Sequence, residues 1–501
     1  MTSGDWGRST SRGLIWSTAS LVGGRALTFV SIAILARLLA PAEFGVVAAV
    51  VVFISLLEMV SDVGMKATVV YEQERGITAR VQTAFTVNLG FAIVLTAAAL
   101  TCAPLAAGFF RLEEHTGLFR MASLSLLLTG LGNVHDSLLM RELDFRRRIV
   151  PELARGVVRG GVSIALALGG WGADALVIGM LAGTATWTAL QWVITPFRPT
   201  LSFDRAILHS MVRYASGAAM HAILVVVNRS VPVAAIGRAL GEQALGFYTI
   251  ALRVPELMIG MVAVNVSRVS FPALAQRRAT DEQRLSASTL MVLRYQALYV
   301  APVAAAIAVL STPLIVVLFS AQWTEAGGVL SALAVLSGVA TIAFPLGDAL
   351  KAVGKQWLLV ALNAVQIPIL GAAIVVVAPR GIAAVGWAMA CAATVFALAL
   401  TMLAAREVGI RLRSIALAAG PGLVAALGVI VGAGAVRTAW PAPSLAPLAC
   451  GAVAGAAGAA LFLALFAPGV LSELRALLAV VHPGAREEGL ESSRTREGHS
   501  P

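Results

Sequence analysis

The chain reads as an all-α polytopic membrane protein of about 14 transmembrane helices, arranged as two pseudo-symmetric six-helix bundles and a C-terminal helix pair. Three observations predict this. The 501 residues are 58% hydrophobic and only 13% charged, with a mean hydropathy of +0.86, more apolar surface than a water-soluble fold can hide. The apolar residues fall into runs of about 20, the length that crosses a bilayer as a helix. Basic residues recur in alternate connections, as the positive-inside rule requires.

Helices follow from the solvent. A backbone polar group left unpaired in lipid is costly, so each run must close its own hydrogen bonds. The runs lack strict polar alternation and are too long for single strands, which argues against a barrel. Hydropathy and breaker residues place the first six spans near 14–39, 44–68, 81–107, 118–140, 150–169 and 172–195, a bundle over 8–195. Six more lie near 209–236, 243–272, 288–319, 326–350, 355–378 and 382–405, a bundle over 205–405. Spans near 413–436 and 444–467 form an extra pair within 411–470. The Glu-, Arg-, Ser- and Gly-rich segment 481–501 has no apolar stripe and is expected to be a disordered cytoplasmic tail. The polar start carrying Arg8 and Arg12 runs into a segment too long for a cleavable signal peptide, so the first helix is expected to stay.

With Arg8 and Arg12 in the cytoplasm, the later inner connections hold Arg75/Arg80, Arg141/Arg146/Arg147/Arg148, Arg198/Arg205, Arg277/Arg278/Arg284, Lys351/Lys355 and Arg411/Arg413. The opposite connections carry only isolated cations at Arg111, Arg238, Arg380 and Arg437, so both termini are expected inside. This distribution also accounts for the net charge of +11 without nucleic acid, since the 37 basic residues are scattered and no base-stacking motif accompanies them. Cys102, Cys391 and Cys450 lie far apart in apolar runs and have neither metal nor redox spacing. No phosphate loop and no zinc motif is present, which removes ATP-driven transport and metal hydrolysis from consideration.

A short internal repeat supports the two bundles. Ala36-Arg37-Leu38-Leu39 through Glu43-Phe44-Gly45 resembles Gly237-Arg238-Ala239-Leu240 through Ala244-Leu245-Gly246, about 201 residues later. Each copy ends one long helix and begins the next.

Charges inside apolar runs are the candidate functional positions, because charge is expensive there. Arg25 lies roughly 16 Å into the first helix, near mid-membrane. It is read as a cavity-facing group whose planar donors suit phosphate oxygens, or as half of a structural ion pair. Glu58, Asp62 and Lys66 share one face of the second helix. The carboxylates suit coupling or gating, with a helix ending at Asp62-Val63-Gly64 and a snorkelling Lys66 as the alternative. Arg229 and His221 fall on the seventh helix, where Arg229 is placed toward the cavity, His221 is a proton-responsive or simply hydrogen-bonded group, and Pro232 offers a hinge. Arg253 and Glu256 flank Pro255 on the eighth, three residues apart, as a headgroup reader or a neutral structural pair. His135 and Asp136, being adjacent, point to different faces, and Asp348 with Lys351 reads as a polar helix exit.

The segment Ala36-Arg37-Leu38-Leu39-Ala40-Pro41-Ala42-Glu43-Phe44-Gly45, followed by Ser61-Asp62-Val63-Gly64, resembles the opening of bacterial polysaccharide flippases of the Wzx type, within the multidrug/oligosaccharidyl-lipid/polysaccharide exporter superfamily. The hydropathic resemblance covers roughly residues 8–467. It implies a flippase of the bacterial inner membrane that moves an undecaprenyl-diphosphate-linked oligosaccharide to the periplasmic leaflet, without breaking a bond and therefore not as an enzyme. It also implies a cleft with a cationic interior, onto which Arg25, Arg229 and Arg253 carry over as substrate-binding candidates. Glu58, Asp62, His221 and Glu256 are the coupling or gating candidates. No aspartate stands at the 201-residue offset from Asp62, so the two halves are not symmetric in acid.

No cofactor is expected, and the acidic positions suit coupling to a proton or a sodium gradient. Membrane lipids and polysaccharide assembly proteins are the other expected partners. A peptidoglycan-precursor flippase and a multidrug exporter fit the same architecture. A polymerase or ligase fits less well, because the connections are too short for an extracytoplasmic catalytic loop, and a purely structural assembly protein is the remaining class.

Overall fold

The computed structural model describes residues 24, 27–61, 77–142, 145–278 and 282–469. Among them the fold is helical throughout, with no strand. The helices are α1 (Leu27–Leu38), α2 (Pro41–Ser61), α3 (Ile77–Phe110), α4 (Thr116–Arg141), α5 (Phe145–Leu168) and α6 (Gly172–Ile194). Next come α7 (205–240) and α8 (242–255), which meet at Gly241, then a π-helical turn at Glu256–Gly260 and α9 (Met261–Arg278). There follow α10 (Glu282–Val309), α11 (Ser311–Phe319), α12 (Ala326–Ala352), α13 (Gln356–Val377), α14 (Ile382–Val408), α15 (Leu412–Ala439) and α16 (Leu445–Phe466).

Among the described residues eleven stretches are long and apolar enough to cross a membrane, and one of them, 46 residues long, runs from α7 through α9. Parting that stretch at Gly241 and adding α1 and α5 recovers the order of crossings expected from hydropathy. α5 falls outside the eleven because Arg147, Arg148, Glu152, Arg155 and Arg159 interrupt it. The expected tail, at 481–501, lies outside the described residues.

One expectation about helix breaks shifts. The chain stays helical through the buried Pro232, because a transmembrane helix re-satisfies the group that proline frees. It breaks at Gly241, within the connection expected between the spans near 209–236 and 243–272, where φ is 85° and ψ −176°, a conformation open to glycine and closed to most other residues. Pro255 does precede irregular backbone, the π-turn at 256–260.

By packing, the described chain forms two compact units. The first takes in the described residues up to Leu257 together with 315–333 and 357–392; the second takes in those of 258–314, 334–356 and 393–469. In the second, small residues let helices touch: Gly428 and Gly458 each face the other's carbonyl, and Gly422 sits on the backbone at Ala297. α15 therefore packs closely against both α10 and α16.

In the first unit the sequence repeat becomes a symmetric crossing. A Cβ on Gly45 would meet the carbonyl of Glu242, and a Cβ on Gly246 would meet that of Pro41, so α2 and α8 touch through glycine at both points. These pairs are related by the same 201-residue offset. The helix ends beside the crossing follow the rule too. Arg37 donates to the carbonyls of Val317 (2.6 Å) and Leu318 (3.4 Å) at the end of α11, while Arg238 lies 6.0 Å from the ring centroid of Phe109 at the end of α3. Trp323 is fully buried against Phe44 and Phe247, and its indole N–H donates to Ala36 O (2.6 Å), one of the carbonyls left over where α1 stops. Gln322 donates to Ala36 O (2.7 Å) and Leu39 O (3.2 Å).

Candidate functional site

α5 carries the densest charge on any crossing of the first unit. Arg148, Glu152, Arg155 and Arg159 recur at steps of four, three and four, the spacing of one helix face. Glycines press the helix into place on two sides. Gly156 and Gly160 face Leu27 and Ser31 of α1, and Gly179 and Gly183 of α6 lie against the backbone of Arg159 and Arg155. The approaches at Gly179 and Gly183 are close enough to backbone that a larger residue would force the helices apart.

The three arginines of this face have different surroundings. Arg148 donates to both oxygens of Asp136 on α4, Nε to Oδ1 at 2.8 Å and Nη2 to Oδ2 at 3.2 Å. Gln191 Nε2 of α6 reaches the same Oδ1 at 3.3 Å. The Asp136 side chain is 8% exposed, so a bidentate pair with a third donor ties α4, α5 and α6 together. Arg155 lies 5.7 Å from the ring centroid of Trp187, a buried residue of α6. Arg159 is exposed at the helix surface, and the like charges of Arg155 and Arg253 lie within its electrostatic reach. Among the described residues neither Arg155 nor Arg159 has a carboxylate partner. A charge in that position calls for an anion.

Arg253, on α8, meets Glu256 at the start of the π-turn: Nη1 donates to Oε2 at 3.2 Å, with each side chain 44% exposed. Of the substrate-binding and gating candidates that lie among the described residues, these two meet as an ion pair. Arg229 is exposed on α7 and forms no ion pair among the described residues. Its neighbour Asn228 donates to Asn363 Oδ1 of α13 at 3.3 Å. Glu58 is half-buried on α2 and engaged by neighbouring groups. Arg25, Asp62 and the side chain of His221 lie outside the described residues.

Two readings of single positions change. Asp136 carries a buried network rather than an idle helix face, and Asp348 is 1% exposed and bonded to Lys351 at 3.1 Å, a buried carboxylate rather than a solvated exit. Arg155 and Arg159 carried no weight in the sequence reading; their four-residue spacing within an apolar run was the available signal.

Helices of membrane length, with exposed guanidinium groups among them, define a multi-pass membrane protein. The chain belongs to the family described as "Polysaccharide biosynthesis protein", whose model matches residues 34–327. It is 27% identical over 348 residues to the succinoglycan biosynthesis transport protein ExoT of Rhizobium meliloti (strain 1021), covering 70% of each chain. With the lipopolysaccharide biosynthesis protein WzxC of Escherichia coli (strain K12) it shares 23% identity over 346 residues, 68% of this chain and 70% of that one. Among solved structures, the lipid II flippase MurJ in an inward closed conformation superposes with a TM-score of 0.75 at 13% identity, over 91% of this chain and 100% of that one. The fold is therefore the flippase-like fold that the opening motif implied, in a member of the polysaccharide biosynthesis protein family.

Proposed function

We propose that this protein translocates undecaprenyl-diphosphate-linked oligosaccharide units from the cytoplasmic to the periplasmic leaflet of a bacterial inner membrane, with both termini in the cytoplasm. The observation that carries the reading is the pair of cations without carboxylates, Arg155 and Arg159, whose charge field extends to Arg253. A diphosphate presents several oxygens to planar donors that stay charged at any physiological pH, which offsets the desolvation of both. The glycan keeps its water while the polyprenyl tail stays in lipid. No bond is made or broken, so the task is binding and release with alternating opening of the two sides.

Arg253 and Arg229 serve the headgroup with Arg159, and Arg25 is assigned to the same task from its depth in the sequence. Glu58, Asp62, His221 and Glu256 supply coupling or gating, driven by a proton or a sodium gradient. Polysaccharide assembly proteins receive the product.

The test is leaflet-resolved movement of fluorescent polyprenyl-diphosphate oligosaccharide in proteoliposomes, with each gradient imposed separately. Transport that requires the diphosphate and falls in Arg159→Gln supports the reading. Equal movement of small amphipathic cations, with no need for diphosphate, would overturn it in favour of a drug exporter. Preference for a peptidoglycan precursor among purified glycan lipids would reassign the cargo.

A further inference from the structure

We infer that Glu256 is the resident counter-ion of Arg253, and that an incoming diphosphate displaces it. This rests on the function proposed above and adds how the site lets its cargo go.

Two arginine–carboxylate pairs among the described residues of the first unit have opposite character. Asp136 and Arg148 share two contacts, at 2.8 and 3.2 Å, Gln191 adds a third, and the carboxylate is 8% exposed. Arg253 and Glu256 share one contact at 3.2 Å, and both side chains are 44% exposed. A solvent-accessible, single-contact pair is worth about 0.2–1 kcal/mol. Removing one partner of a buried, multiply bonded pair costs several times more. An anion with two or more charges therefore outcompetes Glu256 for Arg253 while leaving the Asp136–Arg148 pair intact.

The backbone gives the exchange a consequence. Pro255 closes α8, Glu256 opens the π-turn, and the chain passes from the first compact unit to the second between Leu257 and Met258. With Glu256 bound, Arg253 tethers the first residue of that irregular turn by an i,i+3 link. A diphosphate on Arg253 releases the tether. When Glu256 returns, it competes for the guanidinium and lowers the affinity at the moment of release. Arg155 and Arg159 have no carboxylate partner among the described residues, so cations remain for the anion even while Glu256 holds Arg253.

Farnesyl diphosphate binding to the purified full-length protein in detergent, followed by calorimetry, tests the exchange. Glu256→Gln is expected to tighten binding about two- to fivefold, the range that an exposed pair of this kind converts to. The gain should vanish in the Glu256→Gln/Arg253→Gln double variant, shrink for farnesyl monophosphate, and be absent for phosphatidylglycerol titrated in its place. Unchanged or weaker binding in Glu256→Gln, or a gain that survives in the double variant, would overturn the inference. If Glu256→Gln does not fold, Glu256→Ser is read in the same way. Flipping that depends on Arg159, with no tightening in Glu256→Gln, removes the exchange alone. A wild-type protein that neither binds farnesyl diphosphate nor flips lipid removes both readings.

Discussion

Gly45 and Gly246 stand 201 residues apart, and each rests on the other's helix, Gly45 on the carbonyl of Glu242 and Gly246 on that of Pro41. A Cβ at either position would lie within 2 Å of backbone oxygen, so neither α2 nor α8 can accept alanine without moving. Overpacking of this kind costs about 1–3 kcal/mol. Gly45→Ala and Gly246→Ala should each lower the thermal unfolding midpoint in detergent, and together by less than the sum, because the first shift already separates the helices. Gly90 of α3 has nothing within 4 Å of its would-be Cβ, so Gly90→Ala serves as the neutral control. A Gly246→Ala protein that melts with the wild type would refute the close crossing.

Arg159 is the residue on which transport should depend most among those on α5. Charge-assisted hydrogen bonds contribute about 1.5–3 kcal/mol. Loss of one that forms as cargo is carried slows flipping about tenfold to a hundredfold, while Arg159→Lys, which keeps the charge but loses the fork, should retain part of the rate. Initial rates in proteoliposomes at fixed lipid composition decide it, and a normal rate in Arg159→Gln would count against the cationic site.

Asp136 and Glu256 should separate stability from transport. Asp136→Asn leaves Arg148 with one good acceptor fewer, and Arg148 is 33% exposed, so the expected cost is about 1–3 kcal/mol rather than that of a fully buried pair. Adding Arg148→Gln should restore part of it. Glu256→Gln, at an exposed pair, should change the unfolding midpoint little. Equal destabilisation by the two single variants would contradict the contrast drawn between the pairs.

Trp323 and Gln322 both donate to Ala36 O, at 2.6 and 2.7 Å. Trp323→Phe therefore leaves that carbonyl one donor, and its hydrogen-bond loss should stay near the lower end of about 0.5–1.5 kcal/mol. Trp323→Phe combined with Gln322→Leu strands the carbonyl and should cost more than the two single variants added together. Additive unfolding shifts would show that the two side chains do not share the acceptor.

Most of the architecture was legible because lipid imposes one answer: every crossing is an apolar run of fixed length that closes its own hydrogen bonds. Even the short motif at Arg37 and Arg238 proved informative, since both arginines finish a helix at the crossing that the repeat builds. Positions that depend on a partner elsewhere in the chain were harder. Nothing in the neighbourhood of Asp136 announces that Arg148 and Gln191 will meet it, and Asp348 looks like a helix exit until its burial is known. Arg155 and Arg159 escaped notice for another reason: a short, charge-interrupted run such as α5 draws attention to its boundaries instead of to the face it presents. The break at Gly241 falls in the connection expected between two spans, whereas Pro232 does not interrupt its helix, because a breaker residue marks where a helix can bend and the packing of its neighbours decides whether it does.

The bond from Trp323 to Ala36 spans 287 residues, and it completes a helix end that the first part of the chain leaves unfinished. During synthesis, α1 and α2 enter the membrane long before the residue that seals their junction has left the ribosome. The early hairpin must wait in lipid with that carbonyl answered by water, a headgroup or an insertion factor. Expression of the first six crossings alone, which lack Trp323, should thus leave the Ala36 carbonyl without its indole donor.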